Sequence, residues 1–159
     1  MISGPDRESA LWRWTMSREQ VLRLCPGSID LTTVPVISVI DDDESMRTAI
    51  YNLLRSLGYI VHVFSSAEAF LQSAQLPNTW CVIADVRMPG MSGIELQSRL
   101  RSEGSRVPFV FITAVPEESV RARALEDGAV CFLTKPFDED SLIAGLGKAL
   151  ARHIGGTTN

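Results

Sequence analysis

The sequence predicts an α/β protein with a doubly wound, five-stranded parallel sheet and five helices. Five short apolar runs, rich in β-branched side chains, are nearly continuous rather than alternating, which is typical of strands buried on both faces. Most of these runs are followed by a segment whose apolar residues recur every three or four positions, as in an amphipathic helix. Strands that alternate with helices need crossover connections, and such connections make neighbouring strands parallel.

The first strand and helix show both patterns clearly. Residues 36–40 are apolar at four of five positions and form the first predicted strand. Met46, Ile50 and Leu54 indicate the first helix, and Gly58 marks its end. Further strands are predicted at 59–64, 80–84, 107–113 and 130–133. Further helices are predicted from 65 to about 74, 92 to about 104, 117 to 127 and about 138 to 152.

Two serine–glutamate pairs mark predicted helix starts. Ser65 and Glu68 have the spacing of a capping box, and so do Ser92 and Glu95. In such a box the serine side chain accepts from the third helical amide while the glutamate side chain reaches back to the serine amide. We therefore predict reciprocal capping at the second and third helices.

The chain divides into three predicted regions. We predict an N-terminal extension at residues 1–35, with a short helix around 18–24, a folded domain at residues 36–152 and a flexible tail at residues 153–159. The extension is electrically balanced, so the net charge of −4 belongs to the rest of the chain. A negative balance argues against a nucleic-acid-binding surface as the main function.

Composition also excludes other classes. No apolar run approaches about 18 residues, so we expect no membrane-spanning helix. The N-terminus lacks an apolar stretch of signal-peptide length, and we therefore expect a cytoplasmic protein. Cys25, Cys81 and Cys131 are too widely spaced for a metal knuckle, and their odd count does not suit a disulfide framework. Reduced thiols are the expected state.

Chemically distinctive residues follow four of the predicted strands. Asp41 and Asp42 follow the first strand, Asp85 the third, Thr113 ends the fourth, and Lys135 follows the fifth. In a parallel sheet these strand ends share one rim, where ligands bind. Clustered carboxylates repel unless a cation is present, and an oxygen-rich site favours Mg²⁺, for which Mn²⁺ could substitute. The acidic run alone could equally be a solvated loop, but its combination with a hydroxyl and a lysine predicts a phosphate site.

Several motifs together carry a family resemblance. They are Asp41-Asp42, Asp85-Val86-Arg87-Met88-Pro89-Gly90-Met91-Ser92-Gly93, Thr113-Ala114 and Lys135-Pro136-Phe137. This ordered set resembles the receiver domain of two-component response regulators, over about residues 36–152. The resemblance implies a flavodoxin- or CheY-like fold with strand order 2-1-3-4-5. Residues 66–71 and Arg87 are similar to the FixJ-like, LuxR-type branch.

The resemblance also implies roles for the acidic residues. Asp85 would accept a phosphoryl group from a sensor histidine kinase or a phosphotransfer protein. Asp42 would bind Mg²⁺ directly and Asp41 mainly through ordered water. Asp85 and the backbone carbonyl of Arg87 would complete the protein's share of the coordination.

The remaining implied roles concern the switch. Lys135 would bind a phosphoryl oxygen, and Thr113 would turn its hydroxyl toward the attached phosphate. Phe132 occupies the aromatic switch position, although its apolar strand also suits a plain core residue. The Lys135–Pro136 bond is expected to be cis. Output would pass through the face of the fourth helix, fifth strand and fifth helix, to a downstream protein or into a homodimer, without direct contact to nucleic acid or membrane.

Two other functional classes stay open. A receiver-like adaptor would be regulated by binding alone, without phosphorylation. An aspartate-nucleophile phosphatase usually carries a second acid two residues after its nucleophile, and Asp41 and Asp43 satisfy that spacing. Phosphate on Asp41 would indicate the enzyme, and phosphate on Asp85 the receiver, whose chemistry is limited to its own phosphorylation and slow dephosphorylation.

Overall fold

The computed structural model describes residues 34–157 of the chain. The helix predicted around residues 18–24 and the predicted thiol of Cys25 lie outside the described residues. No helix within the described part combines the length and the apolar character that crossing a bilayer requires.

Five strands and five α-helices alternate along the described residues. The strands are β1 (Val36–Ile40), β2 (Ile60–Phe64), β3 (Cys81–Asp85), β4 (Phe109–Thr113) and β5 (Cys131–Thr134). The helices are α1 (Glu44–Ser56), α2 (Ala67–Leu71), α3 (Gly93–Ser102), α4 (Glu118–Glu126) and α5 (Glu139–Thr157), with a short 3₁₀ helix at Leu76–Asn78. All paired strands are parallel, in the order β2-β1-β3-β4-β5. The predicted fold class and strand order are confirmed.

The core lies on both faces of the sheet. Every residue of β3 and β4 is buried, as expected for central parallel strands covered by helices on each side. On one face, strand side chains such as Phe111 pack with Phe70 of α2 and Leu96 of α3. On the other face, α1 and α5 contribute Leu54 and Leu146. This arrangement holds the carboxyl ends of β1, β3, β4 and β5 at one edge of the sheet.

The second helix begins differently from the prediction. Ser66, not Ser65, is its N-cap, and the Ser66 hydroxyl accepts a hydrogen bond from the amide of Ala69 at 3.0 Å. The predicted capping box at Ser65 is therefore wrong. The Glu68 carboxylate instead accepts from the amide of Met91 at 2.9 Å, in the loop between β3 and α3. The helix is also shorter than expected and ends at Leu71.

The predicted capping box at α3 is confirmed. The Glu95 amide donates to the Ser92 hydroxyl at 3.1 Å, and the Ser92 amide donates to the Glu95 carboxylate at 2.8 Å. The predicted end of α5 at residue 152 is wrong, because the helix continues through Thr157 and includes part of the expected tail. A Cβ atom at Gly145 in this helix would lie 3.0 Å from the Cys131 sulfur, so the glycine allows α5 to pack closely on β5.

Candidate functional site

The five site residues predicted at the strand ends lie on or directly after the carboxyl ends of four strands. Asp85 is the last residue of β3 and pairs in register with Ile112 of β4. Thr113 ends β4 and pairs with Thr134, which directly precedes Lys135. Asp41 and Asp42 follow β1, the other neighbour of β3.

Three carboxylates converge at this edge. Asp41, Asp42 and Asp85 each offer an oxygen, and the three oxygens lie within 4.8 Å of one another. Asp41 and Asp85 are only 1% and 7% exposed, whereas Asp42 is open to solvent. A cluster of oxygen donors, two buried and one accessible, suits a hard divalent cation such as Mg²⁺, which usually keeps several waters. The residues present therefore fit the predicted ion.

Lys135 closes the other side of the cluster. Its ammonium lies 3.0 Å from Asp85 Oδ2 and 3.2 Å from Asp41 Oδ2, and its side chain is largely buried. The peptide bond between Lys135 and Pro136 is cis, as the resemblance implies. The lysine predicted to meet phosphate thus contacts two of the three carboxylates directly.

Backbone amides orient the two buried carboxylates. The Arg87 amide donates to Asp85 Oδ1 at 3.0 Å, so both oxygens of Asp85 have a positively polarised partner. The Asp43 amide donates to Asp41 Oδ1 at 2.9 Å. The guanidinium of Arg47 also donates to the backbone carbonyl of Asp41 at 2.7 Å, which ties α1 to the end of β1. The carboxylates are consequently held in place by the fold.

The electrostatics of the site favour a bound cation. Burial raises the pKa of Asp41, and the nearby Asp85 charge adds to that effect, although the Asp43 amide and Lys135 oppose it. Burial by itself lowers the pKa of Lys135, but hydrogen bonds and charges of Asp85 and Asp41 outweigh it, so the pKa is raised. Lys135 therefore stays protonated at neutral pH. One ammonium faces three carboxylates, which leaves negative charge for a further cation to neutralise.

Thr113 and Phe132 occupy the expected positions at this end of the sheet. Thr113 is fully buried, and its hydroxyl donates to the carbonyl of Val115 and accepts from the Val115 amide, both at 3.1 Å. The hydroxyl is thus engaged by its own loop. Phe132 is partly buried and packs against Phe111 with ring centroids 6.2 Å apart. Both the switch role and the core role of Phe132 are compatible with this position.

The structure also brings together residues that the sequence analysis did not connect. The guanidinium of Arg87 lies 2.6 Å from the carboxylate of Glu117. A Cβ atom at Gly93 would collide with the backbone oxygen of Asp85, so this glycine lets α3 begin directly against β3. These contacts join residues several positions or about thirty positions apart, and local spacing contains no signal for them. At the other end of the sheet, His153 stacks on Trp80.

Comparison with known proteins identifies the family. The family model described as the response regulator receiver domain matches residues 37–146. The chain belongs to this family. A receiver domain explains why the carboxylates, the threonine and the lysine meet at one edge of a sheet with order 2-1-3-4-5.

Curated relatives support the same assignment. The receiver domain is 40% identical over 115 residues to the response regulator protein TodT of Pseudomonas putida, covering 72% of this chain and 51% of TodT. It is 41% identical over 120 residues to the transcriptional regulatory protein FixJ of Bradyrhizobium diazoefficiens, covering 76% of this chain and 58% of FixJ. The chain spans about half the length of the curated relatives it matches.

A solved structure agrees with these relatives. The response regulator StyR superposes on the receiver domain with a TM-score of 0.72 and 40% identity, covering 79% of this chain and 64% of StyR. The family model, the relatives and the solved structure therefore agree on a response regulator receiver domain.

Proposed function

We propose that this receiver domain accepts a phosphoryl group on Asp85 from a sensor histidine kinase or a phosphotransfer protein, in a Mg²⁺-dependent reaction. The observation that carries the proposal is the environment of Asp85. Its carboxylate lies next to Asp41 and Asp42, and it is held by the Arg87 amide and the Lys135 ammonium. A nearly buried carboxylate between an ammonium and a cation site is suited to attack phosphorus.

The transfer is a displacement at phosphorus. An oxygen of Asp85 attacks the phosphorus of a phosphohistidine, the new O–P bond forms, and the P–N bond breaks with its electron pair returning to the imidazole nitrogen. Lys135, already 3.0 Å from Asp85 Oδ2, is placed to bind a phosphoryl oxygen as the phosphoryl group is transferred to Asp85. The Arg87 amide keeps the carboxylate oriented during the attack.

The acidic cluster is the proposed metal site. Asp42, Asp85 and the backbone carbonyl of Arg87 would hold Mg²⁺ directly, Asp41 would act mainly through water, and Mn²⁺ could substitute. The ion would neutralise the carboxylates and the phosphoryl oxygens. Asp42, the exposed member of the cluster, leaves the site open to solvent and to the donor histidine.

Phosphorylation would act as a switch. A phosphoryl group adds about −1.5 to −2 charge at neutral pH, and the Thr113 hydroxyl would leave Val115 to donate to it. The movement of Thr113 would make room for Phe132 and so alter the face formed by α4, β5 and α5. That face would bind a downstream protein or a second copy of the domain, in the cytoplasm and without direct contact to nucleic acid. Only contacts that differ between the two states can drive such a change.

We expect the phosphorylated form to decay slowly. Arg87 and Val115 stand two residues after Asp85 and Thr113, and a bulky cation and an apolar group there would hinder an attacking water. A half-life of minutes or longer, measured by loss of the phosphoryl mass after removal of the donor, would agree with this expectation. Decay within seconds would contradict it.

The decisive experiment is labelling with acetyl phosphate and Mg²⁺, followed by intact mass and peptide mapping. Wild type is expected to gain the mass of one phosphoryl group, and Asp85→Asn to gain none. Asp140→Asn is the matched control, because it removes an exposed carboxylate in the first turn of α5 and should label like wild type. Size-exclusion elution of the same samples reports whether phosphorylation drives dimerisation.

The same experiment separates the alternatives. An acyl phosphate on Asp41 would support the phosphatase class, whose second acid would be Asp43. A wild-type protein that gains no phosphoryl group would support the adaptor that works by binding alone.

A further inference from the structure

Helix α4 is weakly attached to the domain. Only Ala124 of its residues is buried, whereas the neighbouring α3 buries five. Its N-cap residue, Glu117, makes no side-chain capping hydrogen bond. Most stability of a helix in a protein comes from packing of its apolar face, so α4 has little to hold it in one place.

The C-terminal end of α4 is fixed by side chains from α3. The buried amide of Gln97 donates to the carbonyls of Ala124 and Asp127 at 3.2 and 3.3 Å. The guanidinium of Arg101 donates to the same Asp127 carbonyl at 2.9 Å. These bonds satisfy carbonyls at the end of the helix, which have no partners within it. This end can therefore act as a pivot.

The N-terminal end of α4 is joined to the rest of the domain by one ion pair and by the partly buried Val120, which packs against the core. Among the described residues, one side-chain ion pair links this end of the helix to another element. In it, the guanidinium of Arg87 lies 2.6 Å from the carboxylate of Glu117. The neighbouring pair of Glu118 and Arg121, at 3.5 Å, stays within the helix. The Arg87 and Glu117 side chains are 57% and 44% exposed, so their attraction is modest and reversible.

Arg87 connects this ion pair to the phosphorylation site. Its amide donates to Asp85 Oδ1 at 3.0 Å while its guanidinium holds Glu117. A phosphoryl group on Asp85 would place a second, stronger anion close to the same residue. A phosphoryl group carries about −1.5 to −2 charge, compared with −1 on a carboxylate, and it offers three acceptor oxygens.

We propose that the Arg87–Glu117 pair is a latch for the N-terminal end of α4, and that phosphorylation opens it. The Arg87 guanidinium exchanges Glu117 for the phosphoryl group, and the first turn of α4 is released while its last turn stays bound to α3. The exchange changes noncovalent contacts alone. The opening step rests on the proposed function, whereas the latch in the unphosphorylated protein stands on the ion pair itself.

The test measures amide hydrogen exchange in the first turns of α4. Without phosphodonor, Glu117→Gln is expected to raise exchange there about two- to fivefold, the factor that corresponds to an exposed ion pair. Glu118→Gln is the matched control, because it removes an equal charge one residue away and leaves the Arg87 contact intact; it also removes the 3.5 Å pair with Arg121, so it should raise exchange slightly, and by less than Glu117→Gln does. The double variant Arg87→Glu/Glu117→Arg remakes the pair but places a cation at the helix N-terminus, so it should recover part of the protection that Glu117→Gln loses.

The second arm repeats the measurement with excess acetyl phosphate and Mg²⁺, after intact mass has established the phosphorylated fraction. Phosphorylation should raise exchange in α4 of wild type and of Glu118→Gln, and should add much less in Glu117→Gln. Equal exchange of Glu117→Gln and wild type without the donor overturns the latch. An equal phosphorylation effect in both overturns its opening.

The measurement without phosphodonor does not depend on the proposed function. If wild type gains no phosphoryl mass, the proposed function fails, while the comparison without the donor still decides whether Arg87 and Glu117 restrain α4.

Discussion

The neighbouring helices α3 and α4 follow strands of the same site but are built in opposite ways. Helix α3 follows Asp85, buries five residues and begins with a complete capping box at Ser92. Helix α4 follows Thr113, buries Ala124 alone and begins without a side-chain cap. The helix that follows Asp85 is thus firmly packed, and the helix that follows Thr113 is packed only lightly.

The proposed function gives this difference a physical rationale. A phosphoacceptor needs its carboxylate, its cation site and its lysine in constant positions, because catalysis depends on preorganised charges. A signalling helix needs two positions of similar free energy, because a ligand shifts an equilibrium only by its difference in affinity for the two states. A helix with few buried residues can change position at low cost.

The largest expected effect tests the packing difference. Leu96→Ala in α3 removes a fully buried side chain and should lower the free energy of unfolding by about 2–5 kcal/mol. Leu125→Ala in α4 removes a leucine that is 36% exposed and should cost about 1 kcal/mol or less. Urea denaturation at pH 7 measures both. Equal losses would show that α4 is anchored as firmly as α3.

A smaller effect tests the helix starts. Ser92→Ala removes one half of the capping box and should lower the free energy of unfolding by about 1 kcal/mol. Glu117→Ala removes no capping hydrogen bond, only an exposed ion pair, and should cost about 0.5 kcal/mol. A cost for Glu117→Ala as large as that for Ser92→Ala would contradict the contrast between the two helix starts.

The smallest expected effect is that of the buried Asp41 charge on the free energy of unfolding. Because the pKa of Asp41 is raised by burial, the folded protein binds its proton more tightly than the unfolded chain does. This contribution to stability is present below the ordinary aspartate pKa and is lost as pH rises through the folded value. Asp41→Asn should therefore be the more stable protein near pH 7 in EDTA, by a margin that the partial compensation from Lys135 keeps small.

Magnesium supplies the control for that measurement. Free Mg²⁺ at a hundred times its Kd should stabilise wild type by about 2.7 kcal/mol. Asp41→Asn should gain less, because the variant has lost a carboxylate of the proposed metal site. Thermal unfolding from pH 4 to pH 8, with EDTA and with Mg²⁺, measures both effects. A variant that is less stable than wild type in EDTA at pH 7 would contradict the assigned direction.

Much of the fold and the centre of the site could be predicted from the sequence. The β-branched runs and the alternation of strands and helices are local patterns, and parallel pairing then places all carboxyl ends together. This logic predicts Asp41, Asp42, Asp85 and Lys135 at one edge, and the structure places them there.

The remaining contacts depend on residues far apart in the chain. Ser65 and Ser66 are equally good caps in isolation, and in the structure Ser66 caps the helix while Glu68 accepts from the amide of Met91, 23 residues away. The Arg87–Glu117 pair likewise joins two different loops. Such contacts follow from tertiary geometry, which spacing rules do not contain.

Gly93 determines how closely α3 approaches the end of β3. Because it has no Cβ, the first turn of α3 rests against the backbone oxygen of Asp85. The spacing between the start of α3 and the end of β3 is consequently set by main-chain atoms. An alanine at this position would push the first turn of α3 away from β3, and the position of Asp85 relative to that helix would change.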